Sequence, residues 1–595
     1  MYNLNITALH QAYKSHDLEP RSLIKTLRQQ ALEQSDYNAW ITLLDEHQLD
    51  TYLDKLEGES PDTLPLFGVP FAIKDNIDLA GVPTTCACPD FAYTPDQTAF
   101  VVQQLINAGA IPLGKTNLDQ FATGLVGVRS PYGEGKNAFN PDYISGGSSA
   151  GSAISTALGQ VSFALGTDTA GSGRVPAALN NLIGHKPTFG LFSASGLVPA
   201  CRTLDCITVF ALNTQDTALI TSVAGQYDQD DVYARPNTHD NQLRYFSTST
   251  PDTFTFAVPE QLEFCDNPET EALFLKSVKQ LELLGGTAIK VDFTPFLDAA
   301  KLLYEGPWVA ERWLATKEVH PESRLPVINT ILAGAEQFSA ADAFSYQYRL
   351  QAYKKICDDI VDQFDILLTP TCPTFFTREQ LAQEPIKYNS IMGTYTNFMN
   401  LLDYTATAIP VGFTSAGLSW GVTLFSTRFT DMKVLSYAGA LHEAFELPQG
   451  SSDYPLQTFE QPSTAAIAST VDVLVCGAHL SGQPLNWQLQ ERGARLKAKT
   501  TSAPHYELFA LPDGKRPAMI RSQSEVAQAI DVEVWTMPMN HFGSFVAGIP
   551  APLGIGKVEL ADGSWVCGFM CEGSAIADAK NITSYGGWIN WLNQR

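Results

Sequence analysis

The chain has 595 residues, about four times the length of a typical single domain, so more than one folding unit is expected. Hydrophobic residues make up 45% and charged residues 17%, which excludes a disordered, solvating chain. The formal charge of −25, with a sequence pI near 4.7, argues against a nucleic-acid partner or an anionic membrane surface, though not against a small anion held by a local cluster of donors.

Residues 1–60 read as helices, because LNITALHQAY and PRSLIKTLRQQALEQ carry apolar residues at three- and four-residue spacing. The N-terminus has no basic segment followed by an apolar run, so no signal peptide is read. From 65 to 190, short apolar runs (LFGVPFAIK, AIPLGK, VSFALGT) alternate with small-residue helical stretches, the pattern of an α/β unit around a mixed or mostly parallel sheet. FTFAVPE, AIKVDF and DILLTPT continue the strand supply, with helices expected over 270–285 and 341–363. The segment 448–469 is rich in Pro, Ser, Gln and Thr and reads as a linker. We place a first domain at 1–455, the linker at 456–468 and a second domain at 469–595, whose strands include VEVWTM, GKVEL and WVCGFM.

The ten cysteines are scattered, and neither Cys86-x-Cys88 nor Cys567-x3-Cys571 has the partner spacing of a zinc site, so no metal and a reduced, cytoplasmic setting are expected. The uncharged stretch 143–167 is long enough to span a bilayer but too rich in Ser and Gly to be a membrane helix. No P-loop and no biotin-type Met-Lys-Met pattern is present, so no cofactor is expected.

Glycines crowd residues 124–173. Two turns stand out there, Gly146-Gly147-Ser148-Ser149-Ala150-Gly151-Ser152 and Asp168-Thr169-Ala170-Gly171-Ser172-Gly173-Arg174. Each sets a serine in a small-residue turn before a helix-prone stretch, a geometry that aims backbone N–H groups at one spot, as an oxyanion requires. The nearest histidine, His185, lies in GHKPTFG and looks packed rather than catalytic. Lys74, at the end of LPLFGVPFAIK, is the alternative base if burial lowers its pKa; a solvated strand cap is the plainer reading.

These residues carry a resemblance. GVPFAIKDNIDLAGVPTT, GKTNLDQFATG, GGSSAGSA and DTAGSGRVPA together resemble the amidase signature family, over roughly residues 20–450. The resemblance implies a central mixed β-sheet surrounded by helices and a Ser–cis-Ser–Lys triad: Ser172 as nucleophile, Ser148 as bridge and Lys74 as base. It also implies an oxyanion hole from Thr169, Ala170, Gly171 and Ser172. The family commonly has Gly-Gly before the nucleophile, whereas this chain has Ala170-Gly171. The local sequences look most like the allophanate hydrolase branch, and VCGAHLSGQPLNWQL, DVEVWTMP and ITSYGGWINWL resemble that branch's C-terminal domain, a smaller α+β, γ-glutamylcyclotransferase-like unit.

That branch implies a small anionic substrate, allophanate, held by Tyr304, Arg312 and Gly124, with Tyr304 and Arg312 on one side of a helix if the segment is helical after Pro307. A surface Arg312 paired with Glu305 or Glu311 is the plainer alternative, and Arg174 looks structural. The branch further implies a homodimer, a functional link to a urea carboxylase, and a C-terminal unit that decarboxylates the first product, N-carboxycarbamate. His479 is the leading residue for that step, ahead of His505, Glu533 and Glu572; an assembly unit without chemistry is the competing reading. The rival enzyme is a glutamine amidotransferase of the A type working in a tRNA-dependent complex, or an amidase of another small amide; a non-enzymatic scaffold is disfavoured by the complete triad.

Overall fold

The computed structural model describes residues 2–238, 240–456 and 470–595. The expected linker at 456–468 lies almost wholly outside the described residues. The chain divides into two compact units, the first of Met1–Asn237 and Tyr245–Thr458, the second of Thr238–Arg244 and Phe459–Arg595.

The first unit is organised by eleven strands, counted among the described residues. In chain order they are β1 (Trp40–Leu43), β2 (Pro70–Lys74), β3 (Ile111–Thr116), β4 (Phe163–Asp168), β5 (Ile183–Lys186), β6 (Cys206–Ala211), β7 (Phe254–Pro259), β8 (Gly286–Val291), β9 (Ile366–Pro370), β10 (Tyr404–Phe413) and β11 (Ser419–Thr427). They form one sheet in the order β1-β3-β2-β4-β6-β5-β10-β11-β9-β7-β8. The sheet is mixed: β2 runs parallel to β3 and β4, and β7 parallel to β8 and β9, while the intervening pairs are antiparallel. Interior strands such as PFAIK and FALGTD are buried at every position, which explains their apolar or small character up to the charged residues, Lys74 and Asp168, that end them.

Helices Ile6–Lys14, Pro20–Glu33 and Glu46–Leu53 occupy the N-terminal region expected to be helical, with β1 set among them. Pro268–Leu283 and Ala340–Val361 match the two downstream helices. The fully buried helix Ala150–Ala157 explains why 143–167 is small and neutral. A Cβ on Gly151 would stand 2.0 Å from the Ala39 carbonyl oxygen, so only glycine admits this approach of helix to backbone.

The second unit contains a five-stranded sheet and a three-stranded sheet around its own core, which includes Val473, Leu508, Trp535 and Trp588. Among the described residues no helix is long and apolar enough to cross a membrane, and no cluster of three or more His, Cys, Asp or Glu side chains could hold a metal ion.

Candidate active site

Lys74 closes β2, an interior strand flanked by β3 and β4, and is completely buried. Its Nζ donates to Ser148 Oγ at 2.8 Å and to Thr167 Oγ1, on β4, at 2.7 Å. Burial lowers the Lys74 pKa to about 7, against the opposing pull of Asp119, Asp205 and Asp168. Lys74 is therefore a buried amine in contact with a serine hydroxyl, not a solvated strand cap. The Gly147–Ser148 peptide bond is cis.

Ser172 sits in the turn that follows β4. Asp168, the last residue of β4, organises that turn: its carboxylate accepts the N–H groups of Gly171 (2.8 Å) and Gly173 (3.1 Å) and a two-pronged contact from Arg174 Nε and Nη2, each at 2.9 Å. Burial opposes the charge on Asp168, but Arg174 prevails and holds the carboxyl below the usual carboxylate range. Arg174 also donates to the Thr396 carbonyl and to Asn400 Oδ1, so its role is to fix the turn. Gly171 adopts a φ of +129°, and a Cβ there would meet Thr396 Oγ1 at 2.3 Å.

The four expected oxyanion donors differ in their surroundings. The Gly171 N–H is engaged by Asp168, whereas those of Thr169, Ala170 and Ser172 have no acceptor among the described residues. The Thr169 hydroxyl is anchored on Asp205, whose carboxylate also accepts the Ala200 and Cys201 N–H groups. Burial raises Asp205 to about 6. Ser172 Oγ donates to the Gly124 carbonyl at 3.4 Å, and no hydrogen bond joins it to Ser148 Oγ.

The loop that carries Gly124 is built around Asp119. The Asp119 carboxylate accepts the N–H groups of Val126, Gly127 and Arg129, while its own N–H donates to the Ser148 carbonyl at 3.0 Å. Added Cβ atoms on Gly124 and Gly147 would stand 2.5 and 2.3 Å from Asp119 Oδ2, so both glycines exist to let this carboxylate in. Sequence reasoning missed Asp119, Thr167, Asp168 and Asp205 as partners of the site. The available signal was an aspartate followed by glycines at 124 and 127, starting inside GKTNLDQFATG, a spacing suited to backbone N–H capture.

Tyr304 and Arg312 do not share one helix. Gly306 and Pro307 separate helix Thr294–Glu305 from helix Trp308–Thr316, because Pro307 removes a donor and clashes with a continuing turn. The two residues meet all the same, with the guanidinium 5.7 Å from the centre of the tyrosine ring. Arg312 is 3% exposed and donates weakly to the Ala122 carbonyl and Thr123 Oγ1, at 3.4 and 3.3 Å. Among the described residues no carboxylate oxygen lies within 4 Å of it. Glu311 instead caps Thr203 through its N–H and hydroxyl, which corrects the surface-pair alternative.

In the second unit, His479 follows the strand Thr470–Val475 and stacks on Phe569 at 5.0 Å, edge-on to Phe545, with Nε2 3.0 Å from Gln488 Oε1. Burial lowers its pKa. It lines a cavity of about 260 Å³ together with Cys476, Gly477, Gln488, Arg516 and Phe569. The three weaker contenders lie elsewhere. His505 and Glu572 are exposed, and Glu533 is occupied by Ser481, Trp535 and Lys499.

Comparison with known proteins follows this division. A family model described as Amidase matches residues 22–435, and one described as Allophanate hydrolase C-terminal domain matches 471–593. The urea amidolyase of Saccharomyces cerevisiae is 44% identical over 572 residues, which is 93% of this chain but 31% of that protein. The solved structure of Kluyveromyces lactis allophanate hydrolase superposes with a TM-score of 0.75 at 39% identity, covering 99% of both chains. The A-type subunit of glutamyl-tRNA(Gln) amidotransferase from Pseudothermotoga lettingae is 32% identical, covering 69% of this chain and 90% of its own length. The chain thus spans about a third of the length of the curated urea amidolyases it matches.

Proposed function

Since the chain belongs to the amidase family and is an amidase with an allophanate hydrolase C-terminal domain, we propose that its substrate is allophanate and that Ser172 is its nucleophile. The observation that carries this reading is Arg312. A buried guanidinium with no carboxylate partner among the described residues, facing Tyr304 and bonded to the residue before Gly124, whose carbonyl accepts Ser172 Oγ, is a receptor for a planar anion. The glutamine amidotransferase alternative has weaker support, because its match covers 69% of this chain and leaves the second unit unaccounted for.

In the proposed reaction neutral Lys74 takes the Ser148 proton as Ser148 takes that of Ser172, a transfer that needs Ser172 Oγ to turn from the Gly124 carbonyl toward Ser148. Ser172 Oγ attacks the terminal carbamoyl carbon. The N–H groups of Thr169, Ala170 and Ser172 receive the oxyanion, and losing one such donor raises the barrier by about 3 kcal/mol. The C–N bond breaks, ammonia leaves with the proton returned through Ser148, and water hydrolyses the acyl-enzyme to N-carboxycarbamate. Arg312 and Tyr304 hold the carboxylate throughout.

The second unit would decarboxylate that product, with His479 as the group at its cavity; support comes from the neutral imidazole that burial favours beside Gln488. A homodimer and a working link to a urea carboxylase belong to the same reading, the latter supported by the urea amidolyase relatives. A cytoplasmic setting is supported by ten unpaired cysteines. The test is ammonia release from allophanate, glutamine and simple amides by the purified protein. Turnover of allophanate well above the others is expected; a preference for glutamine would overturn the assignment.

A further inference from the structure

We propose that Arg129 is a second cation of the substrate-carboxylate site, which makes the enzyme select amides bearing a negative charge over neutral amides of the same shape. This rests on the allophanate reading above. Arg129 is 4% exposed and its guanidinium, like that of Arg312, has no carboxylate oxygen within 4 Å among the described residues. Removing a guanidinium from water is costly unless an anion or a full set of acceptors replaces the lost hydration. Among the described residues the Arg129 guanidinium has only two acceptors, the Thr123 carbonyl at 2.9 Å from Nη1 and the Pro385 carbonyl at 2.6 Å from Nη2.

Thr123 joins the two arginines. Its carbonyl receives Arg129 and its hydroxyl receives Arg312, so two buried cations converge on one residue. Next to it lies Gly124, whose carbonyl accepts Ser172 Oγ and whose added Cβ would stand 3.2 Å from Arg129 Cδ. The Arg129 stem therefore packs on the residue that touches the nucleophile. Its charge state registers the same neighbourhood: burial and Arg312 push the guanidinium below its usual range, while Asp119 and Tyr304 favour the cation. The Asp119 carboxylate itself is engaged by three backbone N–H groups, including that of Arg129. Two like charges held together in a buried place are stabilised when an anion enters, so binding of a carboxylate is favoured twice. A neutral substrate leaves the repulsion in place.

The test compares allophanate with biuret, in which a carboxamide replaces the carboxylate, for the wild-type protein, Arg129→Lys and Arg129→Gln. Lysine keeps the charge and loses the planar fork; glutamine keeps hydrogen-bonding capacity and loses the charge. The ratio of kcat/KM for allophanate over biuret should fall on the order of tenfold in Arg129→Gln, through KM, and should stay within about threefold of wild type in Arg129→Lys. A purely structural role predicts an equal loss on both substrates, or a Lys variant no better than Gln on the ratio; either result overturns the proposal. A wild-type protein that does not turn over allophanate at all would instead remove the reading of the substrate on which it rests.

Discussion

Replacing Arg174 by methionine leaves the Asp168 carboxylate fully buried without its counter-ion. In the native protein that carboxylate receives four hydrogen bonds, two of them charge-assisted from Arg174 at 2.9 Å. Breaking a buried pair by removing one partner costs about 3–5 kcal/mol, a large share of the roughly 5–15 kcal/mol that typically separates folded from unfolded domains. Arg174→Met also vacates the Thr396 carbonyl and Asn400 Oδ1, so the whole turn bearing Ser172 loosens. The sign with pH follows from the lowered Asp168 pKa: in wild type the pair contributes stability above the unfolded carboxylate pKa and loses it as pH falls through the folded value. The gap between wild type and Arg174→Met should therefore be full at pH 7 and narrow as pH falls below about 4. Urea unfolding followed by tryptophan fluorescence, with the two units' transitions fitted separately, reads both quantities. A loss under about 1 kcal/mol at pH 7, or a gap independent of pH, would refute the structural role given to Arg174.

Three further outcomes follow from the site and its supports. The acid limb of kcat/KM should rise with pH through about 7 as Lys74 loses its proton, and a flat profile from pH 5.5 to 9 would exclude it as the base. Gly147→Ala, whose Cβ would lie 2.3 Å from Asp119 Oδ2 and 2.5 Å from the Gly127 nitrogen, should lower kcat by at least about 100-fold; near-normal turnover would contradict so close an approach. Burial raises Asp216 to about 7, so its neutral form is favoured in the fold, and stability is lost as pH rises from the unfolded carboxylate value through that point. Asp216→Asn should remove this loss, gaining on wild type by about 2–3 kcal/mol between pH 5 and 8 in chemical denaturation; no relative gain would count against it.

The strands around the site were legible because interior strands of a largely covered sheet are mostly apolar or small, as in PFAIK and FALGTD before their terminal Lys74 and Asp168. The serine turns were legible for a related reason. Only small residues tolerate the approach of Gly151 to the Ala39 carbonyl or of Gly171 to Thr396. The carboxylates that organise the turns were not. Asp119, Asp168 and Asp205 look like ordinary surface acids in a chain of charge −25, and their function depends on buried N–H groups and on Arg174, which only the folded backbone brings to them. The same holds for Arg312. Its spacing from Tyr304 suggested one helix, but Pro307 divides that segment, and the two side chains meet across the break. The acidic net charge does not conflict with the proposed anion site, because a field averaged over the surface does not govern two guanidiniums buried beside Thr123.

The most direct test of the assigned chemistry is ammonia release from allophanate by the wild-type protein and by Ser172→Ala, with circular dichroism to show that the variant is folded. Steady release by wild type is expected, with a loss of at least about 1,000-fold in Ser172→Ala, because the proposed reaction forms its acyl-enzyme on the Ser172 hydroxyl. Retention of activity within about tenfold of wild type would contradict it.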